Sequence, residues 1–195
     1  MKIQEIPGAT PLDDETLRGL IPGLTTHGEL DEFEAANIAR AILWAESSRS
    51  LKKDLLSLTG LKRLHQKMFE DTWRWAGDLR TRQTNIGVSP LSIQSDMAIL
   101  LGDISYWLQN QTFSVEEIAI RFHHRLVYIH PFPNGNGRCA RLATDLFLKQ
   151  QGCSGFTWGR TSLALAGHLR KEYIHCLKLA DKAGEYGPLL NFAKS

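Results

Sequence analysis

The run from His130 to Arg141, HPFPNGNGRCAR, concentrates residue types that bind and transfer phosphate. Gly135 and Gly137 remove side chains where a backbone must approach an anion, and they permit the positive φ angles of an anion nest. Arg138 and Arg141 are three apart, so on a helix they share a face and can reach one group of oxygens. The first N–H groups of that helix add about half a unit of positive charge. His130 stands at the mouth of this cradle, and an imidazole titrating near neutrality can take a proton from an attacking hydroxyl. Together these residues support hydroxyl attack on a bound nucleotide phosphate, driven by positioning and charge stabilisation. Two other phosphate loops are excluded. No GxxxxGK[ST] run is present, and no parallel strand precedes the glycines as a dinucleotide fingerprint requires.

Such a cradle needs two helices to hold it, and the surrounding sequence supplies them. Ser114-Val115-Glu116-Glu117 is a capping box that opens a helix through Ile118, Phe122, Leu126 and Ile129. Pro131 disfavours helical geometry at His130 and ends it there. A second helix starts near Gly137, continues past Phe147 and stops before Gly152. The rest of the chain is also mostly helical. Thr10-Pro11-Leu12-Asp13 offers an N-cap and a proline at N1 for a short helix through Leu20, ended by Pro22-Gly23. A longer helix runs from about Glu29 to Ser47, with Leu30, Phe33, Asn37, Ala41 and Trp44 at helical intervals. Leu61, Leu64, Met68 and Phe69 mark another, leading to Trp73 and Trp75, which read as core anchors. Further helices cover about Gln94 to Leu108 and Ser162 to Lys182. Only Gly77 to Pro90 differs: Thr81, Thr84, Ile86 and Val88 with glycine and proline breaks predict a short β-hairpin flap. The fold class is all-α, with that flap as its one extended element.

The chain has 195 residues, 43% hydrophobic and 23% charged, enough for a domain with a substantial core. The expected organisation is a helical segment, residues 1–50, packing on a core domain, residues 51–195. The net charge is only +2, so there is no general basic footprint and no direct nucleic-acid partner is expected. No apolar run suits a signal peptide or a membrane span, so a cytoplasmic protein without a membrane partner is expected. Cys139, Cys153 and Cys176 read as reduced thiols, Cys139 as a helix-packing residue. Adjacent His123 and His124 face different ways and read as structural or surface residues rather than metal ligands. His65, His168 and His175 are isolated and read the same way. Arg80 and Arg82 read as solvated flap charges. Tyr173 and Tyr186 could stack on a nucleotide base.

The motif resembles the signature of the Fic/Doc family (the Fido fold), written HxFx[DE]GNGRxxR. The likeness runs from about Leu61 to Gln150 and includes WAGDLRTRQTNIGV, which corresponds to the family's target-docking flap. IPGATPLDD and ELDEFEAANI further resemble a bacterial subgroup called mobile mystery protein B. The resemblance implies a helical bundle that moves AMP from ATP, with Mg²⁺, to a Ser, Thr or Tyr hydroxyl of a target protein. It makes His130 the general base and Phe132 the buried anchor of the loop. Gly135, Asn136 and Gly137 become the anion hole, the Asn136 amide lying near the α-phosphate. Arg138 and Arg141 then hold the β- and γ-phosphates. Asn85, Ile86, Gly87 and Val88, continuing to Ser89, would align a target segment by main-chain pairing.

One position departs from that pattern. Asn134 stands where the family has an acidic metal ligand, and its amide oxygen can bind Mg²⁺ only without the charge of a carboxylate. Weakened metal dependence or slow turnover follows. Two alternatives stay open: a nucleotide- or partner-binding module without catalysis, and a de-AMPylating or phosphotransferase variant. The family's inhibitory pattern, [ST]xxxE[GN], is approached by Thr25 to Glu29, but Leu30 follows. The subgroup resemblance therefore implies a separate small helix-turn-helix protein as the restraint.

Overall fold

The computed structural model describes residues 13–159 and 166–195. A five-residue helix α1 (Asp14–Arg18) leads into α2 (His27–Ser47), α3 (Arg49–Asp54) and α4 (Leu58–Phe69). A long irregular segment follows, closed by one 3-10 turn at Pro90–Ser92. Then come α5 (Ile93–Gln109), α6 (Val115–Ile129), α7 (Asn136–Gln150), α8 (Ala166–Ala183) and α9 (Gly187–Lys194). Among the described residues the molecule is all-α, as expected. None of the described helices is long and apolar enough to cross a membrane.

The caps explain most boundaries. Asp13 caps α1 by accepting the Thr16 N–H at 2.8 Å; the cap expected at Thr10 lies outside the described residues, as do Pro11 and Leu12. Thr26 and Glu29 form a reciprocal capping box on α2. Glu29 Oε2 accepts the N–H groups of Thr25 and Thr26 at 2.8 and 3.0 Å, so this carboxylate serves the helix terminus. On α6 only half of the expected box forms: Ser114 accepts the Glu117 N–H, while the Glu117 carboxylate turns to Arg121 at 2.7 Å. The described part of the expected last helix is α8. A further helix, α9, follows it with Pro188 in its first turn.

The buried face of α2 is the expected one except at Phe33, with Trp44 partly buried on the core. Leu30, Glu34, Asn37, Ala41 and Ala45 face inward, while Phe33 is exposed. Asn37 fixes the docking of α2 on the C-terminal end of α4, accepting the Asp71 N–H and donating to the Lys67 carbonyl. The main core joins α2 through α7 around Leu61, Leu64, Phe69, Phe122, Phe132 and Phe147. A second cluster, built from Trp158, Tyr173, Cys176, Leu189 and Phe192 on the flank of Ile120, secures α8 and α9.

The expected hairpin is not formed. Among the described residues the only β contact is an isolated bridge between Leu20 and Trp73. A hairpin requires its two arms to pair with each other, and here they bond elsewhere. The Arg80 N–H goes to the Pro131 carbonyl, the Val88 N–H to Ile129, and the Arg80 side chain takes the Val88 carbonyl. The flap is an irregular loop tied to the end of α6.

Candidate active site

Two facing helix ends build the site. His130 is the C-cap of α6, in the left-handed region at φ 55°, ψ 60°. Gly135 is the N-cap of α7, also left-handed at φ 75°. A Cβ at Gly135 would lie 2.5 Å from the Phe69 ring, so glycine is required there. Gly137 is different: it is helical, and a Cβ on it would enter open space. Its expected positive φ is absent, but a bare Cα still leaves room for a ligand.

The first helical bond of α7 runs from Cys139 N–H to the Gly135 carbonyl, and no side chain caps this terminus. The N–H groups of Asn136, Gly137 and Arg138 therefore point outward as anion donors. The Asn136 side chain is not among these donors. It clamps the loop instead, accepting the Phe132 N–H at 2.9 Å and donating to the Phe132 carbonyl at 2.8 Å. Cys139 is fully buried, and burial pushes its thiol up to about 12, which suits packing and not nucleophilic chemistry.

His130 is nearly buried, and desolvation pushes its pKa down to about 4, aided by the Arg80 charge. Its Nδ1 donates to the Val127 carbonyl at 3.3 Å, which leaves the lone pair on Nε2. The imidazole is thus neutral at physiological pH and in the tautomer a base needs. The flap lies directly against it. A Cβ on Gly87, at φ 108°, would fall 2.6 Å from His130 Cβ. Val88 is half-buried on the core beside it, Ile86 is half-buried and Asn85 is exposed. Of the four expected flap residues, Gly87 and Val88 are thereby placed against His130 and the end of α6.

The two arginines share a turn of α7 but lie against different walls. Arg138 donates to Glu34 at 2.5 Å and lies 4.9 Å from the Phe69 ring. Glu34 is 7% exposed, and its other oxygen accepts the Trp73 indole N–H at 2.6 Å. The guanidinium of Arg141 lies 4.7 Å from the Tyr173 ring and 5.9 Å from Trp158. Tyr173 is buried and hydrogen-bonded to His123 Nε2 at 2.8 Å, so its ring supports an arginine. Tyr186 sits over Arg121 instead. His123 and His124 are both buried, neither of them a surface residue, and burial holds both below the usual imidazole range.

Three residues essential to this geometry escape a sequence reading. His65 is one. Its Nδ1 accepts the Gly77 N–H at 2.9 Å and its Nε2 donates to the Asn134 carbonyl at 3.0 Å. The ring also stacks on Phe132 at 3.8 Å, and burial pushes its pKa down to about 3. Glu34 is the second; the signal available was a carboxylate on the same helical face as Leu30, Asn37 and Ala41. Arg80 is the third, and it is 4% exposed, a buried clamp where a solvated charge was expected.

The loop by itself does not fit a resident metal. Asn134 offers one neutral oxygen, which already accepts the Gly135 N–H at 2.6 Å. Among the described residues no group of three or more His, Cys, Asp or Glu could hold an ion.

Known proteins resemble this chain in sequence and in fold. Residues 55–148 match the model of the Fic/DOC family. A protein adenylyltransferase Fic of Drosophila mojavensis is 31% identical over 119 residues, covering 60% of this chain and 22% of that protein. The chain thus spans about a fifth of the length of the curated relatives it matches. Among solved structures, Fic-1 from C. elegans superposes with a TM-score of 0.66 at 27% identity, over 90% of this chain and 50% of that one. A BepC effector structure from Bartonella tribocorum, with AMPPNP bound, gives 0.68 at 15% identity over 93% and 97%. That last likeness concerns the fold alone.

Proposed function

We propose that the Fic/DOC domain carried by residues 55–148 of this chain moves AMP from ATP to a serine, threonine or tyrosine hydroxyl of a protein target. The observation that carries this reading is one juxtaposition. His130, with its Nδ1 on the Val127 carbonyl, sits against the flap at Gly87 and opens the short loop that leads into the N-terminus of α7, where no side chain caps the helix. That a BepC protein of similar fold binds AMPPNP supports nucleotide binding in general.

In this mechanism the flap presents the target hydroxyl, and His130 Nε2 takes its proton as the oxygen attacks the α-phosphorus. A new phosphorus–oxygen bond forms, and the bond to the pyrophosphate oxygen breaks. Charge on the leaving pyrophosphate falls to Arg138 and Arg141, while the N–H groups at the start of α7 face the α-phosphate. Any divalent ion would have to come with the ATP phosphates, because the loop offers it only the amide oxygen of Asn134.

Incubating purified protein with cell lysate, Mg²⁺ and α-labelled ATP tests the reading. Wild type should label protein, and His130→Ala should reduce labelling by about 10²- to 10⁴-fold. Equal labelling by both removes His130 as the base, and label transferred only from the γ-position makes the protein a kinase.

Asn134 favours a second reading, a nucleotide-binding module without transfer. Asn134→Asp separates the two, because a carboxylate is the stronger Mg²⁺ ligand. It should raise AMP transfer about tenfold at limiting Mg²⁺. A protein that binds nucleotide yet transfers nothing with either residue is the module. For control, the N-terminal resemblance supports a separate helix-turn-helix protein, which should co-purify on co-expression.

A further inference from the structure

Arg80 is a buried cation that, among the described residues, makes no ion pair with a carboxylate. Its side chain is satisfied by backbone carbonyls alone. Nε donates to His130 at 2.6 Å, Nη1 to Arg82 at 2.9 Å, and Nη2 to Val88 at 2.5 Å and Ile129 at 3.3 Å. Its own N–H donates to Pro131 at 2.9 Å. Burial disfavours this charge and lowers the arginine pKa. The carbonyls at the C-terminal end of α6, which have no partner within the helix, supply the compensating negative potential.

The partners fall into two sets. Val88 and Arg82 belong to the flap, whereas Ile129, His130 and Pro131 belong to the loop that carries the base. His130 holds a left-handed conformation that a non-glycine residue adopts only under constraint, and Arg80 bonds the carbonyls on that turn. A planar fork can hold both sets at once; a lysine, with its donors on a single nitrogen, cannot.

We propose that Arg80 is a positioning residue which locks the flap to the His130 backbone, so that a target segment docked on the flap is held in register with the base. This rests on the AMP-transfer reading. Arg80 touches neither substrate nor the reacting atoms, and it acts through two carbonyls, Val88 on the flap and His130 on the loop. Gly87 belongs to the same joint, since a Cβ there would also lie 2.7 Å from Arg80 Nη2.

The test compares Arg80→Gln, Arg80→Lys and Gly87→Ala with wild type in three measurements. These are amide hydrogen exchange in the flap, ATP affinity and steady-state transfer of α-label. In Arg80→Gln the amides of residues 80 and 88, which bond the Pro131 and Ile129 carbonyls, should exchange at least about tenfold faster, while those of α4 and α7 keep their protection. Its kcat should fall about tenfold or more and its KM for target should rise, with ATP affinity unchanged within about twofold. Arg80→Lys should recover only part of the loss. Gly87→Ala keeps the arginine but wedges the joint, and should reproduce the flap and kcat changes. If the flap exchanges as in wild type, or if flap, core protection and ATP affinity fall together, Arg80 is merely a stabilising residue and the proposal is overturned. Absence of transfer in wild type defeats the AMP-transfer reading instead, and the exchange of the amides of residues 80 and 88 still decides whether Arg80 forms the lock.

Discussion

Arg138 and Arg141 leave the same turn of α7, yet the walls that receive them are opposite in kind. Arg138, itself 40% exposed, meets a nearly buried carboxylate, Glu34, which the Trp73 indole holds in place. Arg141 meets two aromatic faces, Tyr173 and Trp158, and among the described residues it makes no ion pair. A carboxylate offsets most of a guanidinium's charge, whereas a π face orients it and leaves the charge available. A phosphate must therefore compete with Glu34 for Arg138 but meets no such competitor at Arg141. Both supports also come from outside residues 55–148: Glu34 from α2, Tyr173 from α8 and Trp158 from the segment before it. The matched segment carries the reactive groups, and its flanks set how much charge each arginine presents.

The largest expected effect breaks the comparison at its arginines. Arg141→Ala should weaken ATP binding about a hundredfold, and Arg138→Ala only about tenfold, because part of the Arg138 charge is already offset. Isothermal titration of folded variants measures both. Arg138→Ala carries a second signature. It leaves Glu34 buried without its cation, so it should lower stability by about 1–3 kcal/mol in chemical denaturation. Equal losses of ATP affinity would mean that the two walls do not differ in effect.

A smaller effect of opposite sign sharpens the same contrast. Glu34→Gln keeps an acceptor for the Trp73 N–H and removes the charge that competes with phosphate. ATP affinity should rise about fivefold, which is close to 1 kcal/mol. A fall in affinity would instead make Glu34 an orienting partner of Arg138, required for phosphate binding rather than opposed to it.

These contrasts also show which parts of the site the sequence makes legible. The cradle is local: His130, Gly135, Arg138 and Arg141 lie within one short run, and a break between two periodic helices is enough to place them. The helices themselves are equally legible, since their caps and apolar stripes are local. Supports that arrive from far along the chain are not. Glu34 and Arg138 are 104 residues apart, His65 and Asn134 are 69 apart, and Arg80 and His130 are 50 apart. Charge type misled at Arg80, where exposure is the usual state of an arginine and burial is the fact. Composition misled at the flap for a related reason. Thr84, Ile86 and Val88 suit a strand, but the carbonyl of Val88 is taken by Arg80 and its N–H by the end of α6. Tertiary partners won over local propensity.

The smallest expected effect tests whether the second wall works through its π faces. Tyr173→Phe keeps a ring beside Arg141 and deletes the hydroxyl, which reaches His123 Nε2 at 2.8 Å and also bonds the Arg141 side chain. His123 is fully buried, so its ring nitrogen loses that partner inside the core, and stability should drop by about 1–2 kcal/mol. ATP affinity should nevertheless stay within about twofold of wild type, because a Phe face attracts a guanidinium nearly as a Tyr face does. Denaturant melts and titration with ATP measure the two quantities separately. A loss of affinity approaching that of Arg141→Ala would show that the hydroxyl network through His123, and not the aromatic face, holds this arginine. The contrast between the two walls would then be one between two polar supports, differing in charge alone.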